Sequence, residues 1–487
     1  MQLRFLKTVL QPAEGIQKCT SITWSPNSKR MAAVTTDRVV QLFDEHGEKK
    51  DKFSTKPADP AGPKNFVVRG MAFSPDSTKL AIGQSDNIVF VYKLGLEWGE
   101  KKSICNKFLQ HSAITALVWP SNRHNELVFS LSEGKVKVGA LKTNKASTLY
   151  AHPDGAYCVS LAASPDGGSV CSGHMDGSIW VFSFDDGAGA RLCTHSCVPY
   201  ALSWGAAVVA AGSDRKVAFY NAHSRAGNGA AAPPQVFDYG SDETVREFAS
   251  AAFNPAGETV AVGSFDQFRV FTYHESRSAW EEAGVKEVQN MYTVTALGWK
   301  PDGSSLAVGA LCGNVDLYDA CIRRHRYKGA FEFTYVSTSN VIVKRLSTQS
   351  RIVLKSHFGY QVSGINIYRD RFLVAHTADT LLLGDLETCR LSEVPWNGSG
   401  QERYDFDTER VCVVHSAERG ELSVVEYGRN EVLGTCRTSH TNPNLLSVRV
   451  SESRADVNGR GESKKIAYLV DLQTVRITDL NGGAGDG

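Results

Sequence analysis

The segment best suited to ligating chemistry is Cys193-Thr-His195-Ser-Cys197. On an extended strand its three alternate side chains share one face, where two thiolates and an imidazole could hold zinc with a fourth position open. No second pair lies at standard spacing, so the expectation is a half-exposed strand whose small thiols pack inward. A second candidate is the basic run Arg323-Arg-His-Arg326-Tyr-Lys328, echoed more weakly by Lys49-Lys-Asp-Lys52. Such runs can meet phosphate, lipid headgroups or an acidic partner, or serve as solvated linkers. Signatures of the commoner chemistries are missing: there is no Gly-rich loop ending in Gly-Lys-Ser/Thr, no His-Glu-x-x-His and no Gly-x-Ser-x-Gly. No catalytic residue, cofactor or bound metal is therefore expected.

The elements that would position these residues are legible because the sequence repeats. Ser21-Ile-Thr-Trp-Ser-Pro-Asn-Ser returns as Gly70-Met-Ala-Phe-Ser-Pro-Asp-Ser, Ala116-Leu-Val-Trp-Pro and Ser160-Leu-Ala-Ala-Ser-Pro-Asp-Gly. It returns again as Ala201-Leu-Ser-Trp, Ala251-Ala-Phe-Asn-Pro-Ala-Gly and Ala296-Leu-Gly-Trp-Lys-Pro-Asp-Gly. The aligned positions are Trp24, Phe73, Trp119, Ala163, Trp204, Phe253 and Trp299, about 46 residues apart on average. That is near the roughly 40–45-residue period of propeller blades.

Within each unit an apolar strand runs into a Ser-Pro-Asp/Asn-Gly/Ser turn. Proline fixes φ there, and the acid or amide closes the turn through its own side chain. A second strand rich in Ala and Gly follows, then a tight turn carrying Asp37, Asp86, Asp176, Asp214 or Asp266, then a third strand such as Ile88-Val-Phe-Val-Tyr. These strands are apolar at consecutive positions, as expected of strands covered on both faces. The pattern resembles a degenerate WD repeat, its eponymous dipeptide surviving as Phe43-Asp44 and Tyr318-Asp319. In such sheets a histidine commonly joins a structural hydrogen-bond network. That is the reading preferred for His152 and His174 over a catalytic pair, while packing accounts for the recurring tryptophans.

The fold expected is all-β: a seven-bladed WD-type β-propeller over residues 1–325, then an incomplete second β-propeller over residues 326–487. Leu3–Leu10 is the natural outer strand of the seventh blade. The second half holds three to four blades, which do not close a ring. The chain therefore reads as cut within a second propeller, or as a partial ring packed on the first or on a partner. Residues 45–64 and 221–234 read as surface loops, and residues 481–487 as a flexible tail.

Composition agrees with this outline. The 487 residues are 42% hydrophobic and 22% charged, with 43 glycines and 16 prolines spread along the chain as turn punctuation. A net charge of +1 argues against a nucleic-acid partner, which calls for a large basic excess. Arg4 and Lys7 break up the N-terminal apolar stretch, so no secretion signal is expected. The eleven cysteines accordingly read as reduced thiols.

Some stretches go beyond what a generic repeat dictates. They include Phe43-Asp-Glu-His-Gly-Glu, Asp51-Lys-Phe-Ser-Thr-Lys-Pro-Ala-Asp, Ile104-Cys-Asn-Lys-Phe and Tyr292-Thr-Val-Thr-Ala-Leu. Val353-Leu-Lys-Ser-His and Leu373-Val-Ala-His-Thr-Ala-Asp-Thr-Leu-Leu-Leu-Gly-Asp-Leu extend the match into the second half. Over essentially its whole length the chain resembles the N-terminal region of the intraflagellar transport protein 172 family, peripheral subunits of intraflagellar transport complex B. The resemblance implies a non-enzymatic scaffold in motor-driven transport and cilium assembly, located in cilia, flagella and basal bodies. It also implies docking to other complex B subunits, one with a calponin-homology domain.

On a propeller, the residues just before the turn aspartates would project from one face: Thr36, Ser85, Met175, Ser213 and Phe265. Met175 and Phe265 are the best anchors if exposed, since large apolar groups dominate interface energetics. The rival expectation is membrane association of a coat-like propeller through the basic run and anionic lipid.

Overall fold

The computed structural model describes residues 1–12, 18–62, 65–222, 233–274, 277–288, 292–398, 402–406, 410–416, 419–438, 448–450, 465–471 and 473–480. The described residues contain strands and turns and no α-helix. The strands assemble into antiparallel sheets, ten of four strands and one of three. The chain divides into two compact units, Met1–Cys321 and Ile322–Gly487.

The first unit holds seven four-stranded sheets. Sheet 1 comprises Cys19–Trp24, Arg30–Thr35, Val39–Asp44 and Lys49–Ser54, hydrogen-bonded in that order. Sheets 2 to 6 repeat the meander over residues 68–109, 114–151, 158–194, 201–238 and 250–287. Sheet 7 departs from it. Its three strands within residues 294–321 are completed by Gln2–Leu10, which pairs antiparallel with Val315–Cys321 at the outer edge.

In sheets 1, 2 and 4 the sequence dictates the first turn in the same way. In sheet 2 the Ser74 hydroxyl accepts from Lys79 N at 2.9 Å, and Asp76 Oδ1 accepts from Thr78 N at 3.0 Å. Ser77, at φ 61°, closes the turn by donating its N–H to Ser74 O. Sheet 6 keeps the shape with other residues: Asn254 Oδ1 accepts from Thr259 N, and Gly257 takes the left-handed position.

The first strand of one sheet packs on the next, and the small residues of the second strands permit it. A Cβ on Gly309 would lie 2.6 Å from Cys19 Sγ, and one on Gly263 2.6 Å from Val294 Cγ1. Hydrogen bonds cross between sheets at this level. The Ser21 hydroxyl accepts from Met71 N, that of Ser160 donates to Pro199 O, and that of Ser250 donates to Val294 O. Thr295 of sheet 7 donates to Cys19 O of sheet 1 at 2.6 Å. The cores lie between neighbouring sheets: Ala32, Val34 and Leu42 of sheet 1, for example, pack with Met71, Leu80 and Ile82 of sheet 2. Trp24, Trp119, Trp204 and Trp299 are all buried.

The second unit holds four-stranded sheets over residues 323–355, 363–395 and 403–437, and a three-stranded sheet within residues 448–479.

Two segments differ from expectation. Within residues 45–64, read as a loop, Lys49–Ser54 is the outer strand of sheet 1, paired with Val39–Asp44. The basic run is not a linker either. Arg323–Tyr327 pairs with Phe331–Ser337 as the terminal strand of its sheet. A division at residues 325/326 would cut that strand, and the boundary between the compact units lies before it. Both strands end a sheet and face solvent, where charged residues are the usual guard against edge-to-edge association. Most of the loop expected at residues 221–234, and the whole tail at residues 481–487, lie outside the described residues.

Candidate functional site

The five turn aspartates stand directly after the residues expected to face a partner. Asp37 Oδ1 accepts from Val39 N at 3.1 Å and from the Thr35 hydroxyl at 2.6 Å. Asp176 Oδ1 accepts from Ser178 N and Oγ, and Asp214 Oδ1 from Lys216 N. In each case the next residue, Arg38, Gly177 or Arg215, takes positive φ and returns the chain to the third strand. Asp86 and Asp266 differ from this pattern. Asp86 reaches out of its turn, accepting from Ala58 N at 2.7 Å, and burial raises its pKa. Asp266 itself adopts φ 65° and is tied through its backbone, donating to Tyr292 O and accepting from Val288 N.

The residues before these aspartates are placed beside the start of the first strands. Thr36, Ser85 and Met175 donate their backbone N–H to the carbonyls of Lys18, Val67 and Tyr157. Phe265 bridges to Thr293. Their side chains then diverge. The Ser85 hydroxyl accepts from Val67 N, a local role. Thr36 lines a cavity of about 520 Å³ together with Thr20, Arg69, Thr115, Tyr157 and Thr295. Ser213 lines one of about 400 Å³ with Tyr200, Glu247 and Leu311. Met175 and Phe265 stand in solvent at 54% and 39% exposure.

Sequence reasoning missed four further exposed residues at the same level: Tyr157, Tyr200, Tyr292 and Leu311. Three immediately precede, or nearly precede, a first strand, and Leu311 follows a second strand. The signal was a large apolar residue at those repeat positions. The turn aspartates drew attention elsewhere.

Two histidine clusters lie below this level. In sheet 4, His174 Nδ1 bonds Ala156 O and Nε2 bonds the Ser172 hydroxyl, which also accepts from Tyr150. The His152 ring packs 4.8 Å from that of His174. Its Nε2 lies 3.1 Å from both Ser178 Oγ and Asp176 Oδ2, and its Nδ1 accepts from Asp154 N and Ala156 N. Trp180 Nε1 donates to the same serine. Burial lowers the pKa of His174. Burial also opposes the Asp176 carboxylate, but the Ser178 bonds and the nearby imidazoles outweigh it and hold its pKa below the usual range. Every polar atom of these two rings has a partner, leaving none to act on a substrate.

The Cys193-His195-Cys197 trio does not share one face. The strand Ala188–Thr194 ends before His195. Cys193 packs into the core between sheets 4 and 5, with burial pushing its thiol up to about 12. His195 and Cys197 instead meet Asp214, across the turn of sheet 5. Burial lowers the pKa of His195 and raises that of Cys197.

In the basic run, the Arg323 guanidinium lies 3.6 Å over the Tyr335 ring, while Arg324, His325 and Arg326 are exposed.

The WD domain, G-beta repeat family matches residues 60–93 and 143–183. Across its full length the chain is 56% identical to intraflagellar transport protein 172 of Chlamydomonas reinhardtii. Over 99% of its length it is 51% identical to the intraflagellar transport protein 172 homolog of Homo sapiens, and 42% to that of Drosophila melanogaster. The chain belongs to the intraflagellar transport protein 172 family. It spans about 27% of the length of these relatives. Identity at this level over the whole chain reaches loops as well as strands, so it exceeds what a shared repeat architecture requires. The intraflagellar transport protein 172 region held here is all-β and built of WD-type sheets.

Proposed function

We propose that this chain is a non-enzymatic docking platform of intraflagellar transport complex B, acting in cilia or flagella and at basal bodies. The observation that carries this reading is the identity of 51–56% to two intraflagellar transport proteins over 99–100% of the chain. In this reading residues 1–321 form one closed seven-bladed propeller. Two observations support closure: Gln2–Leu10 completes sheet 7, and Thr295 bonds to Cys19. The four sheets of the second unit are blades of a second propeller.

A propeller presents loops from a rigid disc. Met175 and Phe265 are apolar, exposed and backbone-anchored, the properties of an interface anchor. Thr36, Ser85 and Ser213 contribute to the same face, Ser85 by shaping it. The partners are other complex B subunits, among them one with a calponin-homology domain.

Purification of tagged residues 1–487 from ciliated cells, followed by quantitative mass spectrometry, tests the reading. Enrichment of complex B subunits is expected. Recovery without any of them contradicts it.

A further inference from the structure

We propose that His195, Cys197 and Asp214 bind a zinc ion at the turn of sheet 5. Ligand atoms of the three residues lie within 4.8 Å of one another. Among the described residues no other Cys, His, Asp or Glu group is as compact. His195 is 4% exposed, and its Nε2 is buried without a hydrogen-bond partner. That atom faces Asp214 Oδ2 at 3.9 Å, too far for a hydrogen bond. Tetrahedral zinc bound at its usual distances holds N, O and S ligands about 3.3–3.6 Å apart. The His195–Asp214 pair would need to close by a few tenths of an ångström, and the widest ligand separation by up to about 1.2 Å, to seat the ion.

Sheet 4 identifies what is unusual here. His152 and His195 occupy equivalent positions: each donates its backbone N–H to the glycine of the preceding tight turn, Gly134 or Gly177. Asp176 and Asp214 are equivalent as well. Two residues beyond Asp176, Ser178 satisfies His152 Nε2. Two residues beyond Asp214 stands Lys216, whose ammonium turns away to Asp238 at 3.1 Å. Two residues beyond His152 is Asp154, whereas the matching residue in sheet 5 is Cys197. Sheet 5 has lost the hydroxyl that fills the network and gained a thiol.

The remaining contacts prepare the ligands. His195 Nδ1 lies 2.9 Å from the Tyr220 hydroxyl. With Nδ1–H donating to that oxygen, Nε2 presents its lone pair, an outer-shell arrangement usual for metal-bound histidine. Ser196 Oγ donates to Asp214 Oδ2, and Lys216 N donates to Oδ1, fixing the carboxylate. A thiolate, an imidazole and a carboxylate suit zinc, with the fourth position left to water. Cys197 is only half-buried, so an ion can enter. Bound zinc would pin residues 195–197 to the turn that carries Ser213. The site is independent of the docking proposal.

The test titrates chelator-stripped residues 1–487 with Zn²⁺ by calorimetry and with Co²⁺ by absorption. One ion per chain is expected, with a thiolate-to-cobalt charge-transfer band that C197S abolishes and C193S retains. D214N, which removes a direct ligand, is expected to weaken Zn²⁺ affinity by at least the roughly tenfold that loss of an outer-shell partner costs. Zn²⁺ should raise the melting temperature of the wild type and leave that of C197S unchanged. A missing band, or one that survives C197S, overturns the proposal. Should C197S fail to fold, D214N decides, and unchanged affinity in that variant also overturns it.

Discussion

Sheets 4 and 5 follow one another in the chain and share a backbone plan, yet their histidines live differently. In sheet 4, Ser178 stands between His152, Asp176 and Trp180, and the polar groups satisfy one another. In sheet 5, Lys216 takes that position and points elsewhere, so His195 keeps one bond, to Tyr220. The contrast shows that the tight-turn backbone does not need the full network. Asp214 still accepts from Lys216 N, and Arg215 still takes φ 59°. The network stiffens the turn, and where it is incomplete the same scaffold is free for other chemistry. The residues the two turns hold out differ too: Met175 is a large apolar group in solvent, Ser213 a small polar one.

The largest effect expected from this contrast is on stability. Truncating His152 removes the ring that Ser178 and the Asp154 and Ala156 amides bond, although Ser178 keeps Asp176 and Trp180, whereas truncating His195 removes a single ring bond, that to Tyr220. In metal-free buffer H152A should cost about 1–2 kcal/mol more than H195A, since it removes more hydrogen bonds and each is worth about 0.5–1.5 kcal/mol net. Urea denaturation measures both, and equal losses would break the comparison.

A smaller effect is common to the two sheets. Burial holds His174 and His195 below the ordinary histidine pKa, so the unfolded chain binds protons that the folded chain refuses. Stability from these residues is complete above the unfolded pKa of about 6.5 and is lost as pH falls through the lower folded values. The melting temperature should therefore fall between about pH 7.5 and pH 5.5, and H174N should shallow the slope. A slope unchanged in H174N removes that residue from the account.

Much of this was readable from residues alone. The Ser-Pro-Asp turns, the aligned tryptophans and the Ala/Gly second strands each state a local requirement: a fixed φ, a side chain that closes its own turn, or a close approach. Strands of the second unit such as Phe372–His376 and Val411–Ser416 were equally plain from their continuous apolar runs. Lys49–Ser54 and Arg323–Tyr327 were missed for a shared reason. A strand at the end of a sheet buries little, so its composition is that of a loop. The meeting of His195 and Cys197 with Asp214 was hidden because it joins separate sheets. Laying sheet 5 over sheet 4 residue by residue, and noticing Lys216 where Ser178 should be, would have exposed it. Asp266 sits in the turn between two strands as expected, but the backbone bonds that hold it, to Tyr292 and Val288, are ones no side-chain pattern announces.

The central claim is that the turn face docks a complex B partner through Met175 and Phe265. Binding of residues 1–487 to the purified calponin-homology subunit, measured for the wild type and the M175D/F265D double variant alongside their melting temperatures, tests it most directly. The account predicts at least a tenfold loss of affinity, about 1.4 kcal/mol, at an unchanged melting temperature. Full affinity at an unchanged melting temperature would contradict it.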